Sequence, residues 1–163
     1  MSTAFVGRKR LVEFTKAIIS MIETDEKYLG LGYIFQMQKE NKKTVLIVDD
    51  NRDAADTLAM LIRIAGCDPL VAYDTESGIA LAHERLPDII LHDMSMPIVN
   101  GYEAARRLRS NEKLAKTTLV AVTAYGVTED RKRAKIAGFD IHMAKPIDFE
   151  ALTEVLERSG RSN

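Results

Sequence analysis

Cysteine is nearly absent from this chain, and apolar runs long enough to cross a membrane are absent altogether. A single Cys67 in 163 residues excludes an internal disulfide framework and a zinc site built from cysteines. It follows Gly66 at an expected helix–strand junction, where it reads as a small packed residue in a reducing compartment. No stretch approaches the length of a bilayer span. Arg8-Lys9-Arg10 stands ahead of apolar residues as in a signal peptide, but Glu13 and Lys16 interrupt those residues and no small-residue cleavage site follows cleanly. A cytoplasmic protein with no membrane contact is expected. An excess of one charge is missing too. The formal net charge of −1 argues against a dedicated nucleic-acid surface, and no helix-turn-helix pattern is present, so direct transcriptional control is not expected. The balance is uneven along the chain: residues 1–43 hold eight Lys/Arg against five Asp/Glu, and the remainder holds fifteen against nineteen. Internal repeats and low-complexity segments are likewise absent.

What the chain does have is a set of apolar runs that end in chemistry. Thr44-Val45-Leu46-Ile47-Val48 ends in Asp49-Asp50. Asp88-Ile89-Ile90-Leu91-His92 ends in Asp93, followed by Met94-Ser95-Met96-Pro97 and Asn100-Gly101. Thr118-Leu119-Val120-Ala121-Val122 stops at Thr123-Ala124, and Asp140-Ile141-His142-Met143-Ala144 stops at Lys145-Pro146. In an open parallel sheet the strand C-termini share one edge, where ligands bind. Three acids, a hydroxyl and an amine would then surround one crevice.

Helical patterns alternate with these runs. Asn51 to Ala65 carries Ala54, Ala55, Leu58, Leu61, Ile62 and Ala65 as an expected apolar stripe, stopped by Gly66. Leu70-Val71-Ala72-Tyr73 reads as a short strand. Asp74 and Thr75 start a helix with Ile79, Ala80 and Leu81 inside. Tyr102–Leu108, Val127–Ala137 (ended by Gly138) and a last helix capped by Asp148, with Leu152, Val155 and Leu156, complete the pattern. Five strands alternating with five helices predict an α/β protein whose parallel sheet is covered on both faces. Residues 44–163 form this domain. Residues 1–43 stay outside it as an N-terminal extension: Leu11, Phe14, Ile18 and Met21 or Ile22 share a helical face between about Val6 and Glu23, 28–37 is strand or loop, and 39–43 reads as a linker. The extension either packs on its own domain or is partly disordered; the sharper alternative is a helix that makes a homodimer.

A carboxylate can accept a phosphoryl group as a nucleophile, giving an acyl phosphate. Because an anion must approach an anionic donor, a divalent ion held by carboxylates and the phosphate relieves the repulsion. Asp50 suits a direct ligand, Asp49 a ligand through water, and Asp93 both ligand and nucleophile. Lys145 offers a point charge to a phosphate oxygen, and Thr123 a hydroxyl hydrogen bond.

Taken together, Val48-Asp49-Asp50, Leu91-His92-Asp93-Met94-Ser95-Met96-Pro97 with Asn100-Gly101, Thr123-Ala124 and Lys145-Pro146 make residues 44–160 resemble the receiver domain of two-component response regulators. Any one piece is weak; their order and spacing are specific. The resemblance implies the flavodoxin-like, CheY-type doubly wound sheet of five parallel strands in order 2-1-3-4-5. It implies phosphoacceptor Asp93, magnesium (or manganese) at Asp49, Asp50, Asp93 and the Ser95 carbonyl, phosphate contacts from Thr123, Lys145 and the Ala124 amide, and a cis peptide before Pro146. It implies a histidine kinase or histidine phosphotransfer protein as phosphate donor and a downstream protein as target. Activity would be confined to self-catalysed phosphorylation and slow autodephosphorylation. Ser95 and Tyr125 stand where the family varies residues that set phosphate lifetime.

Two positions depart from the family pattern. His142 occupies the place of its usual aromatic switch residue, which pairs with Thr123; histidine there is seen in receivers of hybrid sensor kinases and would make the switch pH-sensitive. His92 precedes the phosphoacceptor where an apolar residue is usual. The expected function is a single-domain response regulator with no effector domain after the last helix, the alternative being a receiver piece of a hybrid histidine kinase. An aspartate-dependent phosphatase of the haloacid dehalogenase type would need a second Asp at the place of Ser95, and a binding-only pseudo-receiver would have lost a site residue. His83-Glu84-Arg85-Leu86-Pro87 reads as a solvated helix end, Arg131-Lys132-Arg133 as a solvated helix face, and Met94, Met96 and Met143 as packing.

Overall fold

The computed structural model describes residues 42–97, 100–124 and 128–159, with side chains of 128–130 left aside. The expectations for residues 1–41 and for Tyr125 lie outside the described residues. Two compact units divide the chain after Lys42, and the second contains the fold below.

Its strands are β1 (Thr44–Val48), β2 (Asp68–Ala72), β3 (Ile89–Asp93), β4 (Thr118–Thr123) and β5 (Ile141–Ala144). They form one five-stranded sheet in the order β2-β1-β3-β4-β5, parallel throughout. The helices are α1 (Arg52–Ile64), α2 (Thr75–Arg85), α3 (Gly101–Arg109), α4 (Thr128–Ala137) and α5 (Phe149–Arg158), with a short 3-10 turn at Glu112–Leu114. Side-chain alternation sends each strand's residues to two cores. Leu46, Val48, Ile90, Leu119 and Ala121 pack against α2, α3 and α4 through Ile79, Ala82, Ala104, Ala105, Leu108 and Ala134. Val45, Ile47, Ile89, Leu91, Val120, Val122 and Met143 pack against α1 and α5 through Ala55, Ala59, Ile62, Leu152 and Leu156. Both faces are dry, so the strands read as continuous apolar runs.

Local chemistry sets the helix starts. Asn51 accepts from the Ala54 amide, Asp74 from Ser77, Asn100 from Tyr102 and Asp148 from Ala151, each satisfying an amide that the first turn leaves unpaired.

Three sequence expectations are corrected. Strand β2 begins at Asp68, two residues before the expected Leu70, and includes Pro69; an edge strand tolerates a residue without an N–H. The buried stripe of α1 is Ala55, Ala59 and Ile62, with Leu58 at its margin, whereas Ala54, Leu61 and Ala65 are exposed. At 3.6 residues per turn those three lie about a quarter-turn or more from the 55–59–62 line. In α2, Ile79 is buried and Leu81 packs at the core's edge, but Ala80 faces solvent.

Beneath α3, Arg109 ties three connections together. Its Nε donates to the Gly138 carbonyl at 2.9 Å, its Nη1 to the carbonyls of Leu114 (3.1 Å) and Thr117 (2.8 Å), and its Nη2 to Asp140, whose Oδ2 also accepts from the Leu119 amide. A guanidinium can serve these acceptors at once; an ammonium on a thinner stem does not reproduce the fork. Arg109→Ala should lower unfolding stability by about 2–3 kcal/mol, and Arg109→Lys should recover little of it. Urea unfolding reads this as a fall in midpoint at constant slope; a Lys variant as stable as the parent would remove the clamp's importance.

Candidate functional site

The C-terminal ends of β1, β3, β4 and β5 bring the expected residues to one edge. Asp49, Asp50 and Asp93 offer carboxylate oxygens within 4.8 Å of one another, Asp49 and Asp93 buried and Asp50 exposed. Each buried acid is oriented by an amide two residues on: Asp49 Oδ1 accepts from Asn51 N and Asp93 Oδ1 from Ser95 N, both at 2.9 Å. Their other oxygens share one cation. Lys145 Nζ donates to Asp49 Oδ2 and to Asp93 Oδ2, each at 2.8 Å. Burial pushes the Lys145 ammonium down, and the hydrogen bonds to the two carboxylates more than offset it, so its pKa lies above the usual lysine value. The lysine precedes a cis peptide to Pro146.

Sequence reasoning gave Lys145 a phosphate oxygen as its partner and missed that the amine already spans two acids. Residues 96 positions apart in sequence (Asp49 and Lys145) leave no local signal of such contact. It also missed the amides of Asn51 and Ser95 as orienting groups, although acids that accept from the amide two residues on are a recurrent turn chemistry.

The rest of the site lies on the α2–α3–α4 side of the sheet. Thr123 is buried, and its Oγ1 is 3.0 Å from Nε2 of the half-buried His142. The two are diagonal neighbours on one face, since Ala121 is opposite His142 and Thr123 opposite Ala144. Ala124 and Ser95 are exposed at the strand ends. His92 is 1% exposed; burial pushes its imidazole down from the ordinary histidine value against the opposing pull of the Asp93 backbone and carboxylate. Met96 and Met143 are buried in the cores and Met94 packs at the margin. His83 ends α2 on the surface, and Arg131, Lys132 and Arg133 are exposed on α4, with Arg133 over the Tyr102 ring at 4.9 Å.

Three carboxylates in an all-oxygen donor set suit a hard divalent ion. The Lys145 ammonium already bridges two of them, so a cation is accommodated beside these oxygens. The donor chemistry therefore fits magnesium.

Comparison with known proteins agrees. Residues 45–157 match the family model described as the response regulator receiver domain. The polar-differentiation response regulator DivK of Brucella ovis is 30% identical over 115 residues, covering 71% of this chain and 94% of that protein. Two transcriptional regulators that also match are covered over only 45% and 53% of their length. Among solved structures, the receiver domain of the sensor histidine kinase PA1611 from Pseudomonas aeruginosa, with magnesium coordinated in its active-site cleft, is 27% identical with a TM-score of 0.66, covering 72% of this chain and 96% of that one. The receiver domain of Saccharomyces cerevisiae Ssk1, solved in complex with the histidine phosphotransfer protein Ypd1, is 26% identical with a TM-score of 0.67, covering 73% and 89%. Among the described residues no helix is long and apolar enough to cross a membrane. With a five-stranded parallel sheet in the 2-1-3-4-5 order, an acid cluster at its strand ends and a family match over residues 45–157, the chain belongs to the receiver domains of two-component response regulators.

Proposed function

We propose that Asp93 is the phosphoacceptor of a magnesium-dependent switch, phosphorylated from a phosphohistidine on a histidine kinase or phosphotransfer protein. The observation that carries this reading is the Lys145 ammonium spanning Asp49 and Asp93 inside a cluster of three acids. An Asp93 oxygen attacks phosphorus, the O–P bond forms, and the N–P bond to the donor imidazole breaks. Magnesium, or manganese in its place, would be held by Asp50 and Asp93 directly, by Asp49 through water and by the Ser95 carbonyl. When bound, it neutralises charge on the transferring oxygens. Lys145 would then face one phosphoryl oxygen, while the Thr123 hydroxyl and the Ala124 amide would donate to others. Ser95 and Tyr125, at positions the family varies, would tune the lifetime of the acyl phosphate. The Ssk1–Ypd1 pair supports a phosphotransfer protein as donor.

The reading extends to a single-domain cytoplasmic regulator that acts through a downstream protein, with a homodimer through residues 1–43 as the alternative to an extension without a role in assembly. A second reading, the receiver of a hybrid histidine kinase, is favoured by His142 and by the likeness to the PA1611 receiver; the length of the native polypeptide on an immunoblot separates the two.

Incubation with acetyl phosphate and magnesium should add one phosphoryl group by intact mass, and a chelator should reduce uptake at least tenfold. Uptake that is indifferent to the chelator would remove the metal from the mechanism.

A further inference from the structure

Among the described residues the phosphotransfer chemistry leaves three buried polar side chains unused, Thr75, Thr117 and His92, and His92 is the one next to the phosphoacceptor. His92 lies between Val48 and Ala121 on neighbouring strands, with the Phe139 ring edge-on at 6.4 Å. Its strand neighbours Val48 and Ala121, and Leu46, Ile90 and Leu119 further along this face, are all apolar and buried. Its Nδ1 is 2.7 Å from the backbone oxygen of Asp93, and its Nε2 is buried with no hydrogen-bond partner. A carbonyl only accepts, so Nδ1 carries the proton and donates, and the neutral ring then buries Nε2 as a bare acceptor. A side chain kept only for packing would do better as leucine, which leaves no acceptor unsatisfied.

What the ring contributes is a fixed peptide plane. The Asp93–Met94 peptide is held at its oxygen by His92 and at its N–H by the Val122 carbonyl, 2.8 Å away. This plane begins the turn in which the Ser95 amide orients Asp93 Oδ1. Rotating it would move the Asp93 carboxylate and the following backbone together.

We propose that His92 is a positioning residue, holding the Asp93–Met94 peptide so that the Asp93 carboxylate and the Ser95 backbone are preorganised for metal and phosphoryl group. This rests on the reading of Asp93 as phosphoacceptor. An unpaired buried acceptor is a cost kept where geometry matters more than local stability.

Three variants separate positioning from packing. His92→Asn places an amide nitrogen where Nδ1 stood, His92→Gln places one near Nε2, and His92→Leu supplies no donor. Magnesium affinity by calorimetry, initial phosphorylation rate with acetyl phosphate, and the thermal midpoint are measured on the full chain. The Leu variant should bind magnesium and take up phosphoryl about fivefold less well, the worth of one neutral hydrogen bond, with a midpoint equal to or above the parent's. The Asn variant should return both activities to within about twofold, and the Gln variant should not. Parental affinity and rate in the Leu variant would overturn the proposal. So would losses in Leu and Asn alike that track a lowered midpoint. A parent protein that takes up no phosphoryl group overturns the reading of the site and this inference with it; an active parent beside an unimpaired Leu variant overturns the role of His92 alone.

Discussion

Asp93→Asn is expected to take up no phosphoryl group from acetyl phosphate or from a phosphohistidine donor, while remaining folded. Asparagine has nearly the shape of aspartate, and its side-chain oxygen can still accept from the Ser95 amide that now holds Oδ1. An amide oxygen is too weak a nucleophile to form the acyl phosphate. The fold should survive because the substitution thins a cluster of three carboxylates, so the repulsions of Asp93 with Asp49 and with Asp50 are relieved as one tie to Lys145 is lost. The ammonium keeps Asp49 as partner. Phosphoryl uptake therefore falls to background, a loss of at least three orders of magnitude for a missing nucleophile, with the unfolding midpoint little changed. Peptide mapping of the parent should place the label on Asp93. Label persisting in the variant on Asp49 or Asp50 would show that the acids share the acceptor role, and label elsewhere would dissolve the assignment.

Much of this site was legible because a parallel sheet turns sequence into position. Every strand whose C-terminal residue bears chemistry delivers it to one edge, so Asp49, Asp93, Thr123 and Lys145 could be grouped from the ends of four apolar runs. The fold was legible for the same reason: strands buried on both faces are uninterrupted apolar runs, and Gly66 and Gly138 end their helices with φ of +86° and +114°. What escaped was set by contacts without sequence signal. The stripe expected on α1 took in the exposed Ala54, Leu61 and Ala65 and left out the buried Ala59, because alanine and leucine look equally apolar in a sequence and only packing decides which is inside. Strand β2 runs back to Asp68 through Pro69, a residue that argues against a strand until the strand is known to be an edge. The partner of His92 was beyond reach although it belongs to the next residue, because a side chain's rotamer leaves no trace in a sequence. The link of Lys145 to two acids was beyond reach as well, because it depends on how a flexible four-carbon stem settles between carboxylates from different strands.

The hydrogen bond between Thr123 Oγ1 and His142 Nε2, 3.0 Å long, makes the second large expectation. Thr123→Ala should accept phosphoryl from acetyl phosphate at a rate within about tenfold of the parent, because Lys145 and magnesium carry most of the charge stabilisation. Yet it should fail to transmit the change. A phosphoryl group on Asp93 offers the Thr123 hydroxyl a charged acceptor, and charge-assisted hydrogen bonds are about twice as strong as neutral ones. If the hydroxyl turns inward, its contact with His142 breaks, and the half-buried ring shifts into the space vacated. A ligand moves such an equilibrium only through contacts that differ between the two states, and here that difference is the hydroxyl. Without it the phosphorylated and unphosphorylated forms should present the same α4–β5–α5 surface, from Arg131 to Leu156. Backbone chemical shifts with and without beryllofluoride report this directly. In the parent, changes should reach His142 and the exposed face of α4; in Thr123→Ala they should end within the pocket of Asp49, Asp50, Asp93 and Lys145. His142→Tyr tests the other half, because a ring of the family's usual aromatic kind should restore the response without the imidazole nitrogen. Remote shifts of parental size in Thr123→Ala would mean that the signal leaves the site by another route, and the Thr123–His142 pair would then be packing alone.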